Sequence, residues 1–191
     1  MDKKLYGVGI NDADYVVRPN GKIDAAYSRW SCMLFRCYSE KYHAKQPTYA
    51  DCLVCDEWLI FSNFKRWFDE NYVEGYQLDK DILFKGNKVY SPETCCFVPK
   101  EINCILEASN KSRGDTPVGV FRRGNSFLSY SKVNGKRVYF GSYKTAEEAF
   151  VVSKNAKEKE LKRVATEYFN NGKIKENVYN ALINYKIEIT D

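Results

Sequence analysis

No stretch of this chain approaches the roughly 20 apolar residues needed to cross a bilayer. The opening MDKKLYGVGIND has no apolar core of the kind that marks a secretory signal. Together these absences exclude a membrane role and lead us to expect a cytoplasmic protein. There is one histidine, His43, in or beside the loop HAKQPTYADC. Nothing local makes it a catalytic base; it would act only if the fold carried it to a metal site. The seven cysteines are odd in number, and only Cys52 and Cys55 make a CxxC. A second CxxC is missing, and the adjacent Cys95 and Cys96 are poorly spaced as two ligands of one zinc ion. Free thiols packed as small apolar residues are expected, with structural zinc as the alternative. Finally, no Asp or Glu occurs between Val118 and Lys144.

What is present is a globular composition rich in rings, with 15 Tyr, 11 Phe and 3 Trp. Net charge is +5, unevenly spread. Residues 1–110 are slightly acidic, whereas residues 111–170 hold 13 basic against 6 acidic side chains. A basic excess confined to one part of the chain points to a polyanionic partner for that part.

That part is also the most patterned. From Gly119 it reads GVFRRGNSFLSYSKVNGKRVYFGSYKTAEEAFVVSKNA. Alternation predicts three short strands. Phe127, Ser129, Ser131 and Val133 share one face, and Leu128, Tyr130 and Lys132 the other. Asn134-Gly135 predicts a tight hairpin, since both residues tolerate the positive φ of a type I′ turn. Beyond it Val138 and Phe140 face one way, Arg137 and Tyr139 the other, and Gly141 ends the pairing. Thr145 with Glu148 forms a capping-box pattern that starts a helix, with Ala149, Val152 and Ala156 as its apolar stripe. With the helix on one face, the other presents Arg123, Tyr130, Lys132, Arg137 and Tyr139, a surface suited to phosphates and base edges. Arg122 and Lys136 add to the same basic stretch. A solvated basic edge is the plainer alternative.

The initial Gly-Val, the NGK hairpin, Phe140-Gly141 and Thr145-Ala146-Glu147-Glu148-Ala149 resemble the APETALA2-type DNA-binding domain, in order and over about forty residues. In that family the sheet lies in the major groove of double-stranded DNA. The resemblance implies DNA contact by Arg123, Lys132, Arg137 and Tyr139. Phe121 and Tyr130 depart from the family, which often has charged residues there, so base preference does not carry over.

Earlier in the chain, a helix is predicted after Asp24, with Tyr27, Trp30, Leu34 and Tyr38 on one face. A second is predicted after Asp56 as N-cap, with Trp58, Phe61, Phe64, Trp67 and Phe68 packing on the first. Leu78–Phe84 reads as a strand, Lys85-Gly86-Asn87 as a turn, and Val89-Tyr90 and Cys96–Val98 as extended pieces. Pro99 then opens a helix carrying Glu101, Ile102, Asn103, Ile105 and Leu106.

This strand–strand–helix order, with Tyr27, Trp30, Met33, Arg36-Cys37-Tyr38, Pro47-Thr48-Tyr49, the aromatic helix, Leu78–Asp81 and Tyr90–Glu93, resembles the ββα-metal core of degenerate phage HNH-like endonucleases. The resemblance spans residues 25–108. It implies Asp79 as a metal ligand, Lys80 at the place of the histidine base, Thr94 at the place of the structural asparagine, and Asn103 as a second metal ligand. A protonated lysine takes no proton from water, and flanking carboxylates favour its charged form. Asp81 is the alternative base or ligand: on a strand it would share a face with Asp79, about 7 Å away. Asp79, Asp81 and Asn103 are an oxygen set suited to Mg²⁺, the cofactor implied if the site is catalytic. A solvated strand end is the alternative reading of Asp-Lys-Asp.

The helix from Thr145 is expected to run to Phe169. A short helix over Lys173–Lys186 then places Val178, Leu182 and Tyr185 on one face, either packing back or offering a protein-contact surface. Residues 109–117, SNKSRGDTP, read as a linker whose Lys111 and Arg113 could follow a nucleic-acid backbone.

The expectation is therefore an α+β protein in three parts. Residues 1–110 form an HNH-like domain, in which a helical pair precedes a ββα-metal-like core. Residues 111–170 form an APETALA2-type domain of three antiparallel strands on a helix, and 171–191 a helical tail. Its expected partner is double-stranded DNA in the cytoplasm of a bacterial host, as in phage and mobile-element proteins. Three activities remain open: a Mg²⁺-dependent endonuclease or nickase, a DNA-binding regulator without catalysis, or a phage protein that blocks a nucleic-acid-dependent host machine.

Overall fold

The computed structural model describes residues 4–106 and 115–191. Most of the expected linker, with Lys111 and Arg113, lies outside them. The fold is α+β, with six α-helices, a three-stranded antiparallel sheet and two small two-stranded pairings among the described residues. None of the described helices is long and apolar enough to cross a membrane. The chain divides into two compact units, Met1–Val98 and Pro99–Asp191.

In the first unit, helix α1 spans Ala25–Tyr38, and Asp24 Oδ1 caps it by accepting from Tyr27 N at 2.8 Å. Trp30 and Leu34 are fully buried, as their spacing predicts. A short helix α2, Glu40–His43, follows. The aromatic helix begins later than expected. Asp56–Leu59 is a 3-10 turn, Ile60 is extended, and α3 is Phe61–Asn71. The cause lies far away in sequence. Ile10 N donates to Leu59 O at 2.8 Å and Phe61 N to Ile10 O at 3.0 Å, which straightens the chain at Ile60. Asp12, not Asp56, caps α3, taking Ser62 N at 2.8 Å and Ser62 Oγ at 2.6 Å. A side chain at position 9 would run into Leu34 and meet Trp30 at 3.1 Å, so glycine lets this N-terminal segment lie on α1.

Rings fill the core between α1 and α3. Phe61 packs on Trp30 at 5.3 Å between centroids, and Trp58 on Trp67 at 4.8 Å. Burying each such ring stabilises the fold by roughly 1.5–3 kcal/mol.

Four short strands border this core: β1 Leu53–Val54, β2 Tyr76–Asp79, β3 Val89–Tyr90 and β4 Cys96–Pro99. β1 pairs in parallel with β3, and β2 pairs with β4. The expected strand over Leu78–Phe84 therefore stops at Asp79. Helix α4, Lys100–Leu106, falls in the second unit, where Tyr168 Oη donates to Glu101 Oε2 at 3.2 Å.

The second unit is built on β5 Val120–Arg123, β6 Ser126–Val133 and β7 Lys136–Tyr143, in the order β5-β6-β7. Asn134 (φ 49°) and Gly135 (φ 72°) make the predicted turn. Pairing does not end at Gly141. Phe140 is an extra residue between the Tyr130–Tyr139 and Ser129–Gly141 pairs, and this bulge lets β7 continue to Tyr143. Helix α5 runs Ala146–Asn170, and the full Thr145–Glu148 capping box is present. Ala149, Phe150 and Ser153 are its buried residues against the sheet, whereas Val152 and Ala156 are only half-buried. Helix α6, Glu176–Ile183, is shorter than expected and packs back on α5. Val178, Leu182 and Ile187 are buried there, so the apolar side of the tail is used internally.

Candidate functional site

The sheet of the second unit has two unlike faces. Val120, Ser129 and Gly141 stand side by side in the ladder. The first two are completely buried on the α5 side. Ser153 Oγ of α5 donates to Tyr130 O at 2.8 Å, which brings the helix close to the strand backbone. Alternation then sends Phe121, Arg123, Leu128, Tyr130, Lys132, Arg137 and Tyr139 to the opposite face. Arg123, Lys132 and Arg137 are exposed, and Tyr139 is 53 % exposed. Register puts Arg122 beside Phe127, and Lys136 beside Val133, on the helix-side face at the sheet ends. Arg122 Nε there donates to Gly124 O at 3.3 Å. The sequence-level candidates thus split: Arg123, Tyr130, Lys132, Arg137 and Tyr139 share the open face, while Arg122 and Lys136 do not.

The rings on this face form a continuous row across the three strands. Phe121 meets Tyr130 edge-on at 5.5 Å, and Tyr130 meets its cross-strand partner Tyr139 at 5.3 Å. The Arg137 guanidinium lies 4.3 Å from the Phe121 ring centre and 4.1 Å from that of Tyr130, within cation–π range. No carboxylate among the described residues forms an ion pair with Arg123, Lys132 or Arg137. By contrast, Arg163 on α5 is paired with Glu160 at 2.9 Å and Glu167 at 3.0 Å. Phe121 and Tyr130 make Arg137 a stacked cation.

The second candidate site, Asp79-Lys80-Asp81, is arranged differently from the sequence expectation. Asp79 Oδ1 accepts from Asp81 N at 2.7 Å and Ile82 N at 2.8 Å. This side-chain turn ends the strand and removes the alternation that would put the two carboxylates on one face. Lys80 is not exposed. It is 7 % accessible and turned inward. Its Nζ donates to Asp81 Oδ1 at 2.7 Å, Asp81 Oδ2 at 2.9 Å and Asn87 O at 2.7 Å. An ammonium has three protons, and all three have acceptors. Asn87 Nδ2 returns a bond to Lys80 O at 2.9 Å. Burial pushes the Asp79 carboxyl above its ordinary range, against the opposing pull of the two backbone N–H donors.

These residues do not fit Mg²⁺ in this arrangement, because one Asp79 oxygen and both Asp81 oxygens already serve the loop. Asp79, Lys80 and Asp81 belong to the first unit and Asn103 to the second. Thr94 Oγ1 closes its own turn by donating to Val89 O at 2.7 Å. His43 Nε2 lies 2.9 Å from Arg36 O, where it donates at the end of α1. The described residues hold no group of three or more His, Cys, Asp or Glu side chains able to hold a metal ion. Burial raises the thiol of Cys52 and of Cys55, the reverse of an activated CxxC.

Comparison with known proteins returns no matching family model, no matching curated protein and no matching solved structure.

Proposed function

We propose that this protein binds DNA through the open face of the β5–β6–β7 sheet, and that its Asp79–Asp81 turn serves the fold rather than cleavage. One observation carries the first half: three cations without carboxylate partners among the described residues, Arg123, Lys132 and Arg137, share one sheet face with a row of rings. Phosphates supply the counter-charge this face lacks, and bases supply flat partners for the rings. The second half rests on Lys80, whose three protons are all used inside the loop and whose partner carboxylate is the candidate metal ligand Asp81.

The test is a mobility-shift titration of the wild type and the Arg123→Ala/Arg137→Ala double variant, with circular dichroism to confirm folding. Loss of binding in a folded double variant is expected, and unchanged binding would overturn the face assignment. In parallel, supercoiled plasmid is incubated with the protein and Mg²⁺ or Mn²⁺. No nicking is expected. Nicking that disappears in Asp79→Ala/Asp81→Ala would make the first unit a nuclease and refute the fold-only role of the turn.

A further inference from the structure

We infer that the open sheet face takes unpaired nucleotides, so that single-stranded DNA is preferred over the duplex. This rests on the DNA-binding reading above and names the form of DNA. Phe121, Tyr130 and Tyr139 stand on three adjacent strands, 5.5 and 5.3 Å apart in sequence of strands. A ring presents a flat apolar surface. The only flat surfaces of DNA are the faces of its bases, and in a duplex those faces are covered by neighbouring pairs. Groove edges offer mainly hydrogen-bonding groups, and apart from the thymine methyl they give a ring little apolar surface to cover. A row of three rings on a basic sheet therefore finds its fullest partners where bases are splayed apart.

Exposure says which ring receives the base. Arg137 already covers the Phe121 and Tyr130 rings, at 4.3 and 4.1 Å. Among the described residues no cation lies over Tyr139, which is 53 % exposed on the edge strand β7. A base on Tyr139 would lie beside the fixed Arg137 guanidinium, a second flat surface, with Arg123 and Lys132 near the phosphates of the same strand. Charge complementarity and stacking then favour one occupant, a single polynucleotide strand crossing the sheet from β5 to β7.

The experiment measures equilibrium binding of a mixed-sequence 20-nucleotide strand and of the corresponding 20-base-pair duplex at one salt concentration. It uses the full-length protein and its Tyr139→Ala and Tyr139→Phe variants. The expected result is tighter binding of the single strand than of the duplex. Tyr139→Ala should weaken the single strand by about tenfold or more while changing the duplex little, and Tyr139→Phe should retain affinity because stacking needs only the ring. Duplex binding as tight as single-strand binding, or an equal loss for both in Tyr139→Ala, overturns the inference but leaves DNA binding standing. Absence of binding to either probe overturns both.

Discussion

Glu160, in the middle of α5, holds the turn of the β6–β7 hairpin: its Oε1 accepts from Asn134 N at 2.7 Å. The same carboxylate takes Arg163 Nη2 at 2.9 Å and Nε at 3.0 Å, and it is 4 % exposed. The hairpin end that carries Lys132 and Arg137 is thus tied to the helix beneath it by one buried carboxylate. Glu160→Ala is expected to lower unfolding free energy by about 2 kcal/mol, the worth of a hydrogen bond to a charged group. Urea denaturation checks the value, and an unchanged midpoint would remove Glu160 from this role.

Protonation should mimic that substitution. The Arg163 hydrogen bonds hold the Glu160 carboxyl below its ordinary value of 4.5, outweighing its burial. A depressed carboxyl stabilises the fold fully above 4.5 and loses that contribution as pH falls through its depressed value. The stability gap between wild type and Glu160→Ala should therefore close on acidification below 4.5, and a gap independent of pH would show that packing, not charge, is lost.

Asp79 should behave in the opposite sense. Its carboxyl is raised above 3.8 chiefly by burial. Such a group favours the fold in its protonated form, so its ionisation costs stability as pH rises through the raised value. Asp79→Asn keeps an oxygen for the N–H groups of Asp81 and Ile82 and removes the charge. Its stability relative to wild type should be lowest below pH 3.8 and improve as pH rises, as read by thermal melts across that range.

Gly119→Ala should be among the most damaging small substitutions. Gly119 has φ 76°, and an added Cβ would run into Ser153 Oγ and meet the Tyr130 carbonyl at 2.6 Å. Left-handed strain and overpacking together are expected to cost at least about 3 kcal/mol. Adding Ser153→Gly should not restore the loss, because the Tyr130 carbonyl remains. Full rescue in a denaturation series would mean that the serine alone sets the constraint.

Cation removal should be legible in salt dependence. Lys132→Ala is expected to reduce the slope of log affinity against log salt by about 0.7–0.9, one phosphate contact. An unchanged slope would place Lys132 away from the nucleic-acid backbone.

Much of the second unit was legible because its determinants are local. Asn134-Gly135 needs only its own backbone preferences, and the Thr145–Glu148 box closes within one helical turn. The bulge at Phe140 has a local mark too, Gly141 (φ 128°), but a glycine in a strand is read equally well as the end of pairing. The first unit is governed by distant partners. Asp12 caps a helix fifty residues away, and Ile10 straightens Ile60, so Asp56 looked like a cap and is not one. The Asp-Lys-Asp stretch misled for a related reason. Alternation implies a strand, but Asp79 bonds its own following backbone, and Lys80 finds its third acceptor at Asn87, seven residues on. Of the site candidates, the open-face residues followed from alternation, which also sets Arg122 and Lys136 on the opposite face from their neighbours Arg123 and Arg137.

The three-acceptor seat of Lys80 has a consequence for how this sequence can change. An imidazole offers at most two N–H groups and is shorter than a lysine side chain. Lys80→His would therefore leave at least one of Asp81 Oδ1, Asp81 Oδ2 and Asn87 O without its present donor. A histidine there would loosen the loop, which would keep its Asp79 and Asn87 bonds to backbone. What can stand at position 80 is therefore tied to what stands at positions 81 and 87.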